Sequence, residues 1–212
     1  MAVLNLILKD LLLLKKYIFF GLAYILIMII AFQNLPGTAM LSAGTVAMTY
    51  ILVVNSCAYD DKNKADLLLN SLPLSRCDVV LARYLSVFLF ASLAIIFYAI
   101  IAGVNKFVGL PLKVSPITGE GVVGALLAAS FMHSIYLPSY FKFGFIKARL
   151  VSFVLFFVVF FGAGTFINRI NSIEGSLQVL PRQGNIIFLL VAMVLIIVSY
   201  FISLRSYNSR DF

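Results

Sequence analysis

The chain has 212 residues, of which 63% are hydrophobic and 11% are charged, and its formal net charge is +8. Because soluble domains carry about 25% charged residues, this composition excludes a soluble globular protein and predicts an all-α integral membrane protein. The basic residues are scattered at the ends of apolar runs, so the net positive charge does not indicate nucleic acid binding.

The first predicted element is an interfacial helix over residues 1–16. Its aliphatic residues recur with the helical period at Leu4, Ile7, Leu8, Leu11 and Leu12. Its charged residues lie on the other faces and are Lys9, Asp10, Lys15 and Lys16. This pattern is typical of a helix that lies on the membrane surface. The alternative is that the stretch extends the first span inward.

Six segments are apolar for long enough to cross a bilayer core, which takes about 20 residues per helix. They comprise residues 17–33, 39–58, 79–104, 120–137, 150–167 and 186–204. Pro138 is predicted to end the fourth segment, because proline removes a helical hydrogen bond. Between the last two segments, residues 169–181 show the pattern of a short amphipathic helix at the outer interface.

The Lys and Arg residues are unevenly distributed between the two sides of these spans. Of the 16 in the chain, those in the predicted outer segments are only Lys106, Lys113, Arg169 and Arg182. Since cytoplasmic loops carry an excess of Lys and Arg, we expect both termini and the polar loop of residues 59–78 to be cytoplasmic.

The polar loop of residues 59–78 predicts a short amphipathic helix. Asp60 and Asp61 are suitable N-cap residues, and the apolar spacing indicates a helix from Asp61 to Leu72. The apolar face of this helix consists of Ala65, Leu68, Leu69 and Leu72. The charges that flank this face are Asp60, Asp61, Lys62, Lys64 and Asp66.

The second half of the same loop predicts a break and a new helix start. Pro73 makes continuation of the helix past Leu72 unfavourable. Ser75 then stands three residues before Asp78, which is the pattern of a capping box at the start of the third span. The alternative interpretation is a polar loop whose leucines lie on the lipid surface.

The fourth span carries a face of small residues, which in membrane helices marks close packing against another helix. The residues of this predicted helix-packing seam are Gly121, Gly124, Ala125 and Ala128. The seam could join two subunits or two helices within one subunit. Because six spans are few for a transport path, we expect a second copy of the chain or a related subunit to complete any such path.

The sequence lacks the groups that enzymes and ion-coupled carriers use. It has no GxxxxGK[ST] loop and no HExxH motif, and its single histidine, His133, is expected to be packed between helices or to face an interface. Arg83 and Glu120 lie nearest to the interior of a span, and we expect both to reach the interface, so a buried proton relay is not indicated. Cys57 and Cys77 are expected to be reduced thiols if the polar loop is cytoplasmic.

The polar loop resembles the first cytoplasmic loop of a bacterial group of permeases. The run from Ser71 to Arg76, SLPLSR, is followed by the triplet Ala82, Arg83 and Tyr84. This arrangement is similar to the loop between the second and third spans of type 2 ATP-binding-cassette (ABC) exporters. The most similar members are permease subunits that export phenol-soluble modulins, bacteriocins or peptide antibiotics.

The resemblance implies a half-transporter that exports amphipathic peptides or other hydrophobic compounds. It implies two separate cytoplasmic ATPase subunits, which hold ATP and Mg²⁺, while this chain binds no cofactor or metal and is not an enzyme. It also implies a partner permease, identical or paralogous, a coupling helix in the polar loop, and a location in the cell membrane of a bacterium. The expected ATPase contacts are Asp61, Lys62, Lys64, Ala65, Asp66, Leu68, Leu69, Leu72, Pro73, Ser75 and Arg76. The alternative function is a membrane scaffold or immunity protein without transport activity of its own.

Overall fold

The computed structural model describes residues 2–31, 37–72, 74–108, 114, 116–155, 157–158 and 183–209, and every regular element in these residues is an α-helix. The helices are α1 (Ala2–Leu13), α2 (Lys15–Ala31), α3 (Gly37–Lys62), α4 (Ala65–Ser71), α5 (Arg76–Val108), α6 (Gly119–Phe143), α7 (145–155) and α8 (Gln183–Asn208). The predicted all-α fold is therefore confirmed. A helix satisfies its own backbone hydrogen bonds, which lipid cannot do.

Four of the helices are long and apolar enough to cross a membrane, and α1 with α2 gives a fifth if the bent pair is one span. α3, α5, α6 and α8 contain the second, third, fourth and sixth predicted spans. α7 contains the beginning of the predicted span 150–167, and most of that span lies outside the described residues. The predicted outer helix at 169–181 also lies outside them.

α1 and α2 meet at an angle of 66°. The chain stays hydrogen-bonded through the bend, because the Tyr17 amide donates to the Leu14 carbonyl at 2.8 Å. Leu14 is fully buried at the bend, whereas Leu4 and Leu8 of α1 are exposed. α1 is therefore no straight continuation of α2, and its apolar side faces away from the protein.

α3 lies at the centre of the bundle. Met48 and Leu52 of α3 are fully buried and belong to the same core cluster as Phe90 of α5 and Tyr136 of α6. α8 packs against α6 and α5 along one side and exposes large aliphatic side chains, such as Val194, along the other. An exposed aliphatic face is what a helix presents to lipid.

Pro138 does not end α6, so this prediction was wrong. α6 continues through Pro138 to Phe143. Proline cannot donate to the carbonyl four residues before it, which here is the carbonyl of Ser134. The Ser199 hydroxyl of α8 donates to that carbonyl at 2.7 Å. A neighbouring helix therefore replaces the hydrogen bond that the proline removes.

The small residues at the start of α6 face α3 of the same chain. A Cβ atom built on Gly121 would lie 3.2 Å from Leu41, and one built on Gly124 would lie 3.3 Å from Ser42. Ala125, one residue further, is fully buried. These contacts support the alternative in which Gly121 and Gly124 pack within one subunit.

One end of the bundle gathers the termini of several helices. The Arg76 guanidinium at the start of α5 donates to the Asn208 carbonyl at the end of α8, at 2.8 Å. The rings of Phe141 in α6 and Tyr207 in α8 lie 5.3 Å apart. We call the end of the bundle that holds these two contacts the basic end. It also includes α4 and the link between α6 and α7.

Candidate functional site

A buried cluster of ion pairs joins α1, α3 and α5 at the basic end. Arg83 of α5 donates to Asp10 of α1 at 3.0 Å and also to Asp60 of α3. Lys9 of α1 donates to the two carboxylate oxygens of Asp60 at 2.8 and 3.0 Å, and it lies 3.5 Å from Asp10. We call these four residues the ion network. Its two cations and two carboxylates balance in charge.

Hydroxyl groups complete the ion network. Arg83 donates to the Ser56 hydroxyl, and the Ser86 hydroxyl donates to Asp10 at 3.0 Å. Asp10, Asp60 and Arg83 are each less than 9% exposed. Charges can be buried at this level only when they are paired and hydrogen-bonded. The network therefore fixes the polar side of α1 against α3 and α5.

One sequence-based expectation, the N-cap role of Asp60, is wrong at this cluster. Arg83, which was expected to reach the interface, is buried, and two carboxylates hold its guanidinium inside the bundle. Asp60 is neither an N-cap nor a charge at the rim of the loop, because its carboxylate is occupied by Arg83 and Lys9. α3 therefore continues past Asp60 to Lys62.

The ion network could have been inferred from the spacing of polar residues in two otherwise apolar helices. Ser56 and Asp60 are four residues apart, and Arg83 and Ser86 are three residues apart. Both spacings place the two polar side chains on one helix face. A polar stripe on each of two neighbouring apolar helices would have indicated that they face each other.

α4 is shorter than the predicted helix. It comprises the seven residues Ala65–Ser71, and not the whole stretch from Asp61 to Leu72. Lys64, just before it, has a left-handed backbone conformation with φ 48°, and no side chain caps the helix start. The chain therefore turns sharply between α3 and α4, over Asn63 and Lys64 alone.

The predicted apolar face of α4 is divided between two environments. Leu69 points inward and lines a small cavity with Asp10 and Arg83 of the ion network. Leu68 is 64% exposed and Leu72 is 52% exposed. One leucine therefore seats α4 on the ion network, and the two others face outward.

The start of α5 is anchored as the sequence predicts. The Ser75 hydroxyl lies 2.7 Å from the Asp78 carboxylate and accepts from the Asp78 amide at 3.1 Å, which confirms the capping box. Arg76 is an expected ATPase contact, but its guanidinium donates hydrogen bonds to the carbonyls of Tyr207 and Asn208. α5 is thus fixed to the end of α8.

The other expected contact residues are placed as follows. Asp61, Lys62 and Lys64 are exposed, and Ala65 is half-buried. Pro73 and the side chain of Asp66 lie outside what the structure describes. These residues stay candidates for a partner contact.

The remaining groups that the sequence singled out are the histidine and the two cysteines. Within the described part of the chain, no group of His, Cys, Asp and Glu could hold a metal ion. His133 is buried, as expected of a packed histidine, and its Nδ1 atom lies 2.8 Å from the Ala129 carbonyl. Cys57 is buried and Cys77 is exposed, and both are free thiols.

The chain matches a known protein family. The family model described as "ABC-2 family transporter protein" matches residues 5–208, nearly the whole chain. No curated protein and no solved structure matches the chain significantly.

Proposed function

The chain belongs to the ABC-2 family of transporter proteins and is a permease component of an ABC exporter, and we propose that it moves amphipathic peptides or other hydrophobic compounds out of a bacterial cell. An ABC ATPase and the lipid bilayer are the partners that this family implies. We further propose two cytoplasmic ATPase subunits, which hold ATP and Mg²⁺, and a second permease chain, identical or paralogous. In this complex the basic end lies in the cytoplasm.

The substrate class and the orientation have separate support. The substrate class rests on the resemblance of residues 71–84 to the loops of peptide exporters. The orientation rests on the excess of Lys and Arg at one side of the spans. The exposed residues Lys62 and Lys64 lie on that side, beside α4.

α4 is the proposed coupling helix, and the exposure of its leucines is the observation that carries this proposal. Leu68 and Leu72 are exposed on a polar segment. Transfer of such aliphatic side chains from water to an apolar environment is favourable in free energy. A hydrophobic groove on the ATPase would bury them, as grooves do with the apolar face of a partner helix. The exposed charges of Asp61 and Lys62 would orient docking more than they add affinity.

The surroundings of α4 suit it to transmit motion. Only Asn63 and Lys64 separate α4 from α3. On its other side, the capping box and the Arg76 contacts fix the start of α5 to α8. Beneath it, Leu69 rests on the ion network. A displacement of docked α4 would therefore move α3 and α5 instead of being absorbed by a slack loop.

Leu68→Asp tests this proposal. It would place an unpaired carboxylate in the apolar groove, which costs about 3 kcal/mol or more and weakens docking at least roughly 100-fold. The measurements are complex formation with the ATPase and ATP hydrolysis with and without an amphipathic peptide. Asn63→Asp is the matched control, because it adds the same charge to the same segment outside the leucine face.

Two results would contradict the proposal. Leu68→Asp with unchanged ATPase binding and unchanged peptide-stimulated hydrolysis would remove α4 from the contact. A wild-type chain that binds no ATPase would favour the scaffold or immunity function instead.

A further inference from the structure

A second feature of the basic end is the bend between α6 and α7. Gly144 adopts φ 80°, a conformation that favours glycine, and its amide donates to the Tyr140 carbonyl at 2.9 Å. α7 begins at the next residue, so two helices meet with no loop between them. We call residues 142–150 the Gly144 elbow.

The cations of the Gly144 elbow form no ion pair with any residue that the structure describes. Lys142, Lys147 and Arg149 are exposed. The sequence contains no Asp or Glu from residue 121 to residue 173. All ion pairs among the residues that the structure describes belong to the ion network. The elbow therefore presents a surface of one charge sign.

Large apolar side chains alternate with these cations. Ile146 is 74% exposed and Leu150 is 66% exposed, four residues apart on one face of α7. Phe143 is exposed as well, and the Lys142 ammonium lies 5.1 Å from the centre of its ring. The exposed apolar face continues along α7 to Phe153, away from the basic end.

We propose that the Gly144 elbow binds the headgroups of anionic phospholipids in the leaflet that meets the basic end. Lys142, Lys147 and Arg149 would contact the headgroup phosphates, and Ile146 and Leu150 would enter the acyl region. This combination of cations and apolar side chains is that of an interfacial segment attracted to acidic lipids. The leaflet is the cytoplasmic one if the orientation proposed above holds.

The course of the apolar face distinguishes a lipid from a soluble partner. A soluble protein approaches the bundle at its end, as the ATPase does at α4. The face that begins at Ile146 instead follows α7 along the side of the bundle, because Ser152 of α7 lies 3.4 Å from the hydroxyl of Tyr50 in the middle of α3. Only lipid or another membrane helix can reach that side. The single charge sign favours lipid, because a phospholipid headgroup supplies the missing negative charge.

The test compares lipid binding by two matched double variants of the full-length chain in detergent. Phosphatidylglycerol and phosphatidylcholine are titrated separately, and native mass spectrometry counts the bound lipids. For Lys147→Gln with Arg149→Gln, we expect phosphatidylglycerol to bind roughly thirtyfold more weakly. Lys62→Gln with Lys64→Gln removes the same charge at the same end and should retain phosphatidylglycerol affinity. The single variant Lys147→Gln should lose roughly fivefold.

Three outcomes would overturn the proposal. One is equal affinity of the wild-type chain for the two lipids. A second is equal phosphatidylglycerol affinity in the two double variants. A third is a variant with Lys147→Gln and Arg149→Gln that keeps its lipid affinity but loses the ATPase, which would assign the elbow to a protein partner. None of these measurements depends on Leu68, so the coupling proposal can fail while this one stands.

Discussion

The ion network and the Gly144 elbow, both at the basic end, differ in how their cations are used. In the ion network, Arg83 and Lys9 are paired with carboxylates inside the bundle. At the Gly144 elbow, cations such as Lys147 are exposed and have no acidic residue near them in sequence. Lysine and arginine therefore hold helices together in the ion network, whereas at the Gly144 elbow they remain available to a partner.

This difference follows from where the acidic residues stand in the sequence. Asp10 and Asp60 occupy helices whose packing brings them to Arg83. A buried pair contributes rigidity only as long as both partners are present, because a lone buried charge is costly. An exposed cation contributes little to stability, since water solvates it well. We therefore expect substitutions in the ion network to affect stability and substitutions at the elbow to affect lipid binding.

Arg83→Met should give the largest effect. It leaves two buried carboxylates, Asp10 and Asp60, with Lys9 as their remaining cation, and loss of one partner of a buried ion pair costs about 3–5 kcal/mol. The measurement is the free energy of unfolding in detergent or lipid. Arg149→Met is the matched control at the Gly144 elbow, and it should stay within about 0.5 kcal/mol of wild type. Equal effects of the two substitutions would contradict the contrast between the ion network and the elbow.

Ser199→Ala should give a smaller effect and tests how α8 is tied to α6. The Ser199 hydroxyl donates to the Ser134 carbonyl, so the Tyr84 hydroxyl, 2.6 Å away, donates to it in turn. Because Pro138 cannot replace the lost donor, the carbonyl is left without one, at a cost of about 1 kcal/mol. The melting temperature would show this loss.

The control for Ser199→Ala is Ser92→Ala. The Ser92 hydroxyl is exposed and bonds only to the Phe88 carbonyl of its own helix, at 2.9 Å. We expect no measurable change in melting temperature there. A Ser199→Ala chain that melts like the Ser92→Ala chain would show that the contact between α8 and α6 adds nothing to stability.

The local features of this fold could be predicted from the sequence. The length of the apolar runs indicated the helices, because lipid leaves the backbone few alternatives. The spacing of Ser75 and Asp78 gave the capping box, which needs only residues of one turn. The leucine spacing located α4, although the helix begins at Ala65 and not at Asp61.

The features that failed depend on residues distant in sequence. Local sequence suggested a helix cap at Asp60, because its partner Lys9 is 51 residues away and is not apparent from the neighbouring residues. Pro138 looked like a helix end because the compensating hydroxyl of Ser199 comes from another helix. Neither partnership follows from local spacing, since each depends on how the helices pack.

The central claim is that α4 contacts the ATPase whereas the Gly144 elbow contacts lipid. Its most direct test is photocrosslinking from Leu68 and from Ile146 in the assembled complex. Both side chains are exposed at the basic end, and they differ in the partner that we propose for each. A photoreactive residue at Leu68 should form an adduct with the ATPase, and the same residue at Ile146 should form adducts with phospholipid. An ATPase adduct at Ile146 with none at Leu68 would contradict the assignment of α4 as the coupling helix.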